Sequence, residues 1–427
     1  MTRELQDKAK EFMAKNEWEN AIPFWEQAQA SEPDNHFVTG QLAFCHSRLR
    51  HHSEAIALYR KLCEVEPNQP RWPYSLGYQY YDQQQWDQAI IHFDQALTIQ
   101  PDYIVVLYRK GYALAQLHES KRGQALTVLE QCRSAYHALA DEDIKKRERK
   151  HYADACYQQG KIFAALKRHD KAQERLQEAS EIINDADIHY ALGDSYLSSG
   201  QIADAVTSLE TAQRLSEKPT HYIIDRLIRA YAASGQRDKA IKIFEQAPPF
   251  IRDRAYILRD MADVFIELED WTRAEQTLKL AVRKDRRNHY GHYHLGIVYL
   301  HQQKWIEAAK EFKEAVLLRQ KHYKIPFPEA EQALNKLLEE HPEVGSEPSQ
   351  EIWPESEAGR PVGKVKRFFS DKGFGFLELA DNDQDLFFHI TQVEGQNSVN
   401  EGDFLEYTLA QGKKGPQAIN LRVVQKQ

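Results

Sequence analysis

Two short segments near the end of the chain decide the fold of its last domain: Lys372-Gly373-Phe374-Gly375-Phe376-Leu377 and Leu386-Phe387-Phe388-His389-Ile390. Successive side chains of a β-strand point to opposite faces of its sheet. As strands, the two segments therefore have one aromatic face, made of Phe374, Phe376, Phe387 and His389. Their opposite face is apolar and suits a packed core. The sequence predicts a small β-domain with a partly exposed aromatic surface.

The chemistry of that surface indicates stacking on flat ligands. The sequence shows no other apolar segment that would cover its three phenylalanine rings and one imidazole. Side chains of this kind stack on unpaired nucleobases. The formal net charge of the whole chain is -8, which argues against a generally basic protein that binds duplexes through charge alone. Any affinity for nucleic acid must therefore be local and depend mainly on stacking.

The last domain, residues 362–427, resembles the cold-shock family from Gly363-Lys364-Val365-Lys366 to Gly412-Lys413-Lys414-Gly415-Pro416-Gln417-Ala418. The resemblance implies a five-stranded barrel of the OB type that binds single-stranded RNA or DNA on its second and third strands. The positions that match the family's binding surface are Lys366, Arg367, Phe368, Lys372, Phe374, Phe376, Phe387, His389 and Lys414. Gly373 and Gly375 are expected to let a base approach the backbone.

Two positions depart from the family pattern. Arg367 stands where the first strand usually presents a tryptophan, and Ile390 stands where the second segment usually ends in phenylalanine. A guanidinium plane also stacks on bases, so Arg367 is expected to change base preference more than to abolish binding. The alternative is a barrel that keeps its fold and binds protein instead of nucleic acid.

Most of the chain before this domain is a repeat. Pro33, Pro67 and Pro101 recur at intervals of 34 residues, which is the period of tetratricopeptide repeats. In the first three units a small residue precedes an alanine and an aromatic residue: Ala9, Ala21 and Trp25; Ala43, Ala55 and Tyr59; Gly77, Ala89 and Phe93. The pattern continues to about residue 320, with one degenerate unit around Gly111 that carries an insertion, and predicts about nine pairs of antiparallel helices.

These patterns predict a multidomain chain, with an all-α tetratricopeptide superhelix followed by a small all-β five-stranded OB-type barrel. The array is expected over residues 1–341 and ends in an amphipathic capping helix at 329–340. Residues 342–361 contain five glutamates and one arginine among prolines, serines and glycines. This composition predicts a flexible acidic linker before the barrel at 362–427.

The first helices of the third and fourth repeats carry candidate partner-binding residues: Arg71, Tyr74, Tyr78, Tyr108 and Tyr112. Residues four apart share one face of a helix. The resemblance implies that such helices line a groove for extended peptides or partner helices, so an unidentified protein or peptide is the expected ligand. The other interpretation is that these tyrosines pack between helices. The Asn, Lys and Arg cluster with which some family members grip chaperone tails is absent from the sequence.

No motif predicts catalysis, because the sequence lacks a phosphate-binding GxxxxGK[ST], a nucleophile elbow and a dinucleotide fingerprint. No ligand set predicts a metal or a cofactor. The four cysteines are scattered, and no apolar segment has the length of a membrane span, so we expect a cytoplasmic protein that does not contact membranes.

The sequence thus predicts a non-enzymatic adaptor of bacterial type that joins single-stranded RNA, or less readily DNA, to a protein partner. A pure protein-interaction scaffold remains the alternative. A third possibility is that the array adds nucleic-acid contacts through its tyrosines and through the basic segments 145–150 and 283–287.

Overall fold

The computed structural model describes residues 2–345, 360–379, 382–395, 398–412 and 415–424. Contacts between residues divide the chain into two compact units: Met1–Gln302 with Leu318–Lys324, and Gln303–Leu317 with Ile325–Gln427. Most of the predicted linker, residues 346–359, lies outside the described residues, as does Lys414. None of the helices in the described ranges combines the length and the apolar character of a membrane span.

The helices form antiparallel pairs, as the 34-residue period predicts. Eight pairs occupy the part of the array that the structure describes up to residue 284: α1 (Thr2–Ala14) with α2 (Trp18–Ser31), α3 (His36–Arg48) with α4 (His52–Val65), α5 (Arg71–Asp82) with α6 (Trp86–Ile99), α7 (Ile104–Leu117) with α8 (Arg122–His137), α9 (Glu142–Ala165) with α10 (His169–Ile182), α11 (Ala186–Ser198) with α12 (Ile202–Leu215), α13 (His221–Ala233) with α14 (Arg237–Gln246), and α16 (Ala255–Glu267) with α17 (Trp271–Lys284). A short helix, α15 (Pro249–Arg252), precedes the last of these pairs. The remaining helices are α18 (His289–His301), α19 (Trp305–Tyr323), α20 (Pro328–Glu340) and α21 (Pro342–Gly345).

The two helices of a repeat approach each other at the small residues that the sequence pattern identified. A Cβ atom added at Gly160 would lie 2.5 Å from the Cγ atom of Leu176, and one at Gly193 would lie 2.6 Å from that of Leu209. Both leucines are fully buried. The absence of a side chain on the first helix therefore provides the space that the leucine of the second helix fills.

The turn between the two helices has the same backbone conformation in most repeats of this chain. In eight of these turns in the described part of the array, one residue has a φ between 56° and 81°: Asn16, Arg50, Gln84, Lys167, Gly200, Gly235, Glu269 and Gln303. The next N–H then donates to a carbonyl five residues earlier, as from His51 to His46 at 2.9 Å, which closes the end of the first helix. The degenerate repeat has a 3₁₀ turn, Glu119–Lys121, at this point instead.

The C-terminal domain is a closed five-stranded barrel. Its strands are β1 (Val362–Phe369), β2 (Phe374–Leu379), β3 (Asn382–His389), β4 (Phe404–Gly412) and β5 (Gly415–Val424), arranged in the order β1-β2-β3-β5-β4. The β3 and β5 strands pair in parallel, and the other neighbours pair antiparallel. Val365, Leu377, Phe388, Leu405 and Leu421 belong to its buried core. The predicted fold class is confirmed.

The cysteines lie at packing positions of the array. Cys45, Cys132 and Cys156 are buried, and Cys63 is partly buried. Burial raises the pKa of the Cys45 and Cys63 thiols to about 11 and that of the Cys132 and Cys156 thiols to about 12. The thiols are therefore protonated near neutral pH, in agreement with the role of small apolar fillers.

The close approach within a repeat can be tested with two alanine substitutions. We expect Gly160→Ala to lower the free energy of unfolding by about 1–3 kcal/mol, because its methyl group collides with Leu176. Gly123→Ala is the matched control on α8, because a Cβ atom there meets nothing within 4 Å, and better helix propensity should leave stability equal or raise it by up to about 1 kcal/mol. Chemical denaturation followed by circular dichroism measures both, and equal effects would contradict the packing argument.

Candidate functional site

The pairing of β2 with β3 assembles the aromatic face of the barrel. Phe374 lies opposite His389, and Phe376 lies opposite Phe387. The Phe387 ring centroid is 5.7 Å from that of Phe374 and 5.9 Å from that of Phe376. All four side chains are half-buried, so each leaves part of its ring exposed. The alternation in the sequence predicts this placement, and the structure brings the four residues together.

A β-bulge in β1 changes which phenylalanine of that strand joins them. The register shifts between Val365 and Arg367, so that Phe369 pairs with Phe374. The Phe369 ring lies 5.0 Å from Phe374. Phe368 instead stacks on the core residue Phe388 at 6.1 Å and packs against the barrel core. Phe368, which the sequence placed on the binding surface, is thus half-buried and packs toward the core, whereas Phe369, which the sequence analysis did not single out, joins the rings of β2.

The physical reason is the extra residue of the bulge. Lys366 and Arg367 are both exposed, whereas strict alternation from the buried Val365 turns Arg367 inward and Phe368 outward. Two adjacent phenylalanines always contribute one ring to each face, which is the signal that the sequence offered. We call Phe369, Phe374, Phe376, Phe387 and His389 the aromatic platform.

Arg367 extends the aromatic platform along β1. It pairs with Phe376 in the strand register, and its guanidinium carbon lies 5.5 Å from the centre of the Phe369 ring. A planar cation above a ring is a favourable arrangement that still exposes one face of the guanidinium. The residue that replaces the family's tryptophan thus adds a second kind of flat surface next to the platform.

The lysines that the sequence suggested for phosphate contacts differ in their surroundings. The Lys366 ammonium is held by both carboxylate oxygens of Asp385, at 2.7 and 3.0 Å. Lys372 is exposed at the end of the turn before β2. A phosphate that binds Lys366 must compete with Asp385, so this lysine contributes less counterion release than an unpaired one would.

The glycines of β2 have structural roles. A Cβ atom at Gly375 would lie 2.5 Å from the Arg367 carbonyl oxygen and 2.6 Å from the Phe388 ring. Gly375 therefore makes room for the core and for β1, which explains the glycine without reference to a bound base. Gly373 has a φ of 64°, which glycine adopts readily, and its carbonyl accepts a 2.8 Å hydrogen bond from the Ile390 N–H.

Hydrogen bonds fix the orientation of the platform histidine. The Thr391 N–H donates to Nδ1 of His389 at 3.3 Å, and the Thr391 hydroxyl lies 2.8 Å from the same atom. Since Nδ1 accepts, the neutral ring carries its proton on Nε2. His389 can therefore offer both a ring face and an N–H donor to a base.

A second cluster of rings lies on the first helices of the repeats. Within this tyrosine cluster, defined as Tyr74, Tyr78, Tyr81 and Tyr112, neighbouring ring centroids are 5.7 to 6.4 Å apart. All four side chains are half-buried, so they pack between helices and also present a surface. Two predicted groove residues lie beside it. The ring centroids of Tyr108 and of His151 on α9 are 6.1 Å apart, and the guanidinium carbon of Arg71 lies 3.7 Å from the centre of the Trp72 ring.

Family models match both parts of the chain. A model described as the 'Cold-shock' DNA-binding domain matches residues 362–424. Tetratricopeptide-repeat models match residues 77–117, 153–185, 186–219 and 259–322. The helical region therefore consists of tetratricopeptide repeats, and the barrel is a cold-shock domain.

Similar proteins exist for each part. The cold shock-like protein CspB of Yersinia pestis is 38% identical over 66 residues, which cover 15% of this chain and 94% of that protein. The cold shock protein CspD of Bacillus subtilis is 44% identical over 61 residues, covering 14% of this chain and 91% of that protein. A solved tetratricopeptide repeat protein from Parabacteroides merdae aligns with 62% of this chain and 98% of its own, with 17% identity and a TM-score of 0.42.

The bulge makes a prediction that separates two adjacent residues. Phe369→Ala should weaken binding of a single-stranded oligonucleotide about tenfold and leave the barrel stable, because it removes one exposed stacking ring. Phe368→Ala should instead destabilise the barrel by about 2 kcal/mol, because its ring contacts the core. Fluorescence anisotropy and thermal unfolding of the full chain measure the two effects. Lower stability of the Phe369→Ala variant together with weaker binding by the Phe368→Ala variant would contradict the register of β1.

Proposed function

Because the chain belongs to the cold-shock domain family through residues 362–424 and carries tetratricopeptide repeats before them, we propose that it is a non-enzymatic adaptor. In this proposal the barrel binds single-stranded nucleic acid on the aromatic platform, and the repeats bind a protein partner through the tyrosine cluster and its neighbours. The matched families are non-catalytic. The four unpaired cysteines agree with a cytoplasmic protein.

The aromatic platform is the observation that carries the nucleic-acid half of the proposal. Its five side chains come from three adjacent strands and present ring surface on one face of the barrel. Each stacked base contributes about 1–3 kcal/mol. Three or four stacks give roughly micromolar binding after the cost of ordering the strand.

We propose RNA as the ligand ahead of DNA. Proteins recognise RNA mainly through unpaired, unstacked bases that lie on aromatic side chains, and the platform suits this mode. The ion pair between Lys366 and Asp385 leaves few free cations beside the rings. The affinity should consequently fall only gently as the salt concentration rises.

The linker completes the adaptor proposal. We propose that residues 342–361 tether the barrel to the repeats, since five glutamates among prolines, serines and glycines favour an extended chain. A tether of this kind raises the effective concentration of the nucleic acid near the bound partner. Binding at one site would thereby localise the ligand of the other.

Replacement of Phe374, Phe376 and His389 by alanine tests the nucleic-acid half. We expect the triple variant to bind labelled pyrimidine RNA at least about a hundredfold more weakly than the unmodified chain, because three stacking groups are lost. Fluorescence anisotropy with RNA and DNA of the same sequence, at two salt concentrations, measures this. Leu409→Ala is the control, since Leu409 is 61% exposed on β4. Absence of binding by the unmodified chain would favour the scaffold alternative.

A second experiment distinguishes nucleic-acid binding by the barrel from nucleic-acid binding by the repeats. Replacement of Tyr78 and Tyr112 by alanine should leave oligonucleotide affinity within about twofold of the unmodified chain, because stacking is provided by the platform. Circular dichroism would verify that the helices persist. A larger loss of affinity in a folded variant would mean that the repeats contact the nucleic acid, which is the third possibility raised by the sequence.

A further inference from the structure

The tyrosine cluster surrounds a cation, Arg109 of α7. The guanidinium carbon of Arg109 lies 4.5 Å from the centre of the Tyr78 ring and 5.3 Å from that of Tyr81. Both rings belong to α5, so Arg109 reaches across from one repeat to its neighbour. Arginine stacks readily on aromatic faces, and this contact holds the guanidinium in a defined place.

Arg109 is half-buried and makes no salt bridge in the described part of the chain; Tyr74 is its hydrogen-bond partner, and Asp154 on α9 lies within the range of its charge. No carboxylate oxygen there lies within 4.0 Å of its side-chain nitrogens, and its Nε atom is buried without a hydrogen bond. Two other half-buried arginines of the array, Arg133 and Arg229, are paired with carboxylates. Arg133 contacts Glu130 at 2.7 Å and Glu178 at 3.0 Å, and Arg229 contacts Asp225 at 3.5 Å and Asp260 at 2.5 Å.

A partly desolvated guanidinium without a salt bridge is a strong site for a carboxylate or a phosphate. Its surroundings distinguish between these two ligands. Burial raises the pKa of Tyr74 and of Tyr81; on α9, the Glu148 carboxylate adds to the rise at Tyr74 and the Asp154 carboxylate to that at Tyr81. These two carboxylates border the same surface. They would repel the continuous row of phosphates of a nucleic acid and tolerate a ligand with one negative group.

The aromatic rings around Arg109 indicate which ligand side chains would flank the negative group. The tyrosine cluster continues on both sides of Arg109, from Tyr74 on α5 to Tyr112 on α7 and on to Trp86, 6.0 Å from Tyr112. Surfaces of half-exposed tyrosine and tryptophan bind prolyl and aliphatic side chains of extended peptides. Because rings lie on both sides of the cation, the negative group must come from within a peptide and not from its C-terminus.

We propose that Arg109 and the tyrosine cluster bind an extended peptide of a protein partner through one internal aspartate or glutamate flanked by prolyl or aliphatic residues. This inference rests on the proposed docking role of the repeats and specifies its ligand. The carboxylate pairs with the Arg109 guanidinium, and the flanking side chains lie on the rings. Arg109 acts as the specificity-determining residue of the site.

Selection of a random dodecapeptide phage library on the full chain tests the proposal. We expect the selected peptides to share an acidic residue flanked by proline or aliphatic residues. A synthetic copy of one selected peptide should lose about tenfold in affinity when its acidic residue becomes the amide, and about tenfold when the chain carries Arg109→Gln. The two changes together should cost no more than either alone, because both remove the same ion pair.

Controls make the outcomes distinguishable. Arg286→Gln removes an exposed arginine from the turn before α18 and changes the net charge equally, so it should leave peptide affinity unchanged. Selected peptides that lack an acidic residue, or that bind Arg109→Gln as well as the unmodified chain, would overturn this inference while the docking role of the tyrosines survives. Failure to select any peptide would overturn both. Weaker pyrimidine RNA binding by Arg109→Gln would also overturn it, in favour of a nucleic-acid contact.

Discussion

The repeats depend on one steric constraint, the close approach of the two helices of a pair at a residue with little or no side chain. At Gly160 and Gly193 a leucine of the second helix occupies the space where a Cβ atom would stand. This contact directs the opposite face of the first helix away from its partner. The tyrosines of α5 collect at the edge of this contact, where the ring centroids of Tyr74 and Tyr81 lie 6.3 and 6.1 Å from that of Phe93 on the partner helix α6.

Close packing of the core also determines which side chains the barrel exposes. The Phe388 ring lies against Gly375, and the added residue at Lys366 turns Phe369 toward the surface. Gly375, on the core-facing side of β2, and the bulge in β1 together determine which rings are exposed. The aromatic platform is thus a consequence of how the core is packed, since each exposed ring alternates with a residue that the core requires.

Regular spacing explains how much the sequence could predict. The 34-residue period gave the helix pairs, and the alternation in two segments gave Phe374, Phe376, Phe387 and His389, because both features repeat along the chain. The bulge was beyond reach, since a single inserted residue leaves no periodic trace and reverses every side chain after it. The left-handed turn residues were equally hidden, because Asn16, Arg50 and Gln84 are not glycines. The ion pair of Lys366 with Asp385 and the stacking of Arg109 on Tyr78 join residues that are distant in sequence, so no local pattern predicts them.

The two proposed binding surfaces share one electrostatic feature in a chain with a net charge of -8. Neither surface relies on a field of positive charge; each places an arginine against rings, Arg367 beside Phe369 and Arg109 beside Tyr78. A stacked guanidinium loses few conformations on binding, and its charge acts over a short distance in a partly desolvated site. In the proposed function, the nearby carboxylates, Asp385 at the barrel and Asp154 at the repeats, oppose the approach of polyanions. The selectivity of both proposed surfaces would then come from ring geometry and a single charge, in keeping with the acidic character of the whole chain.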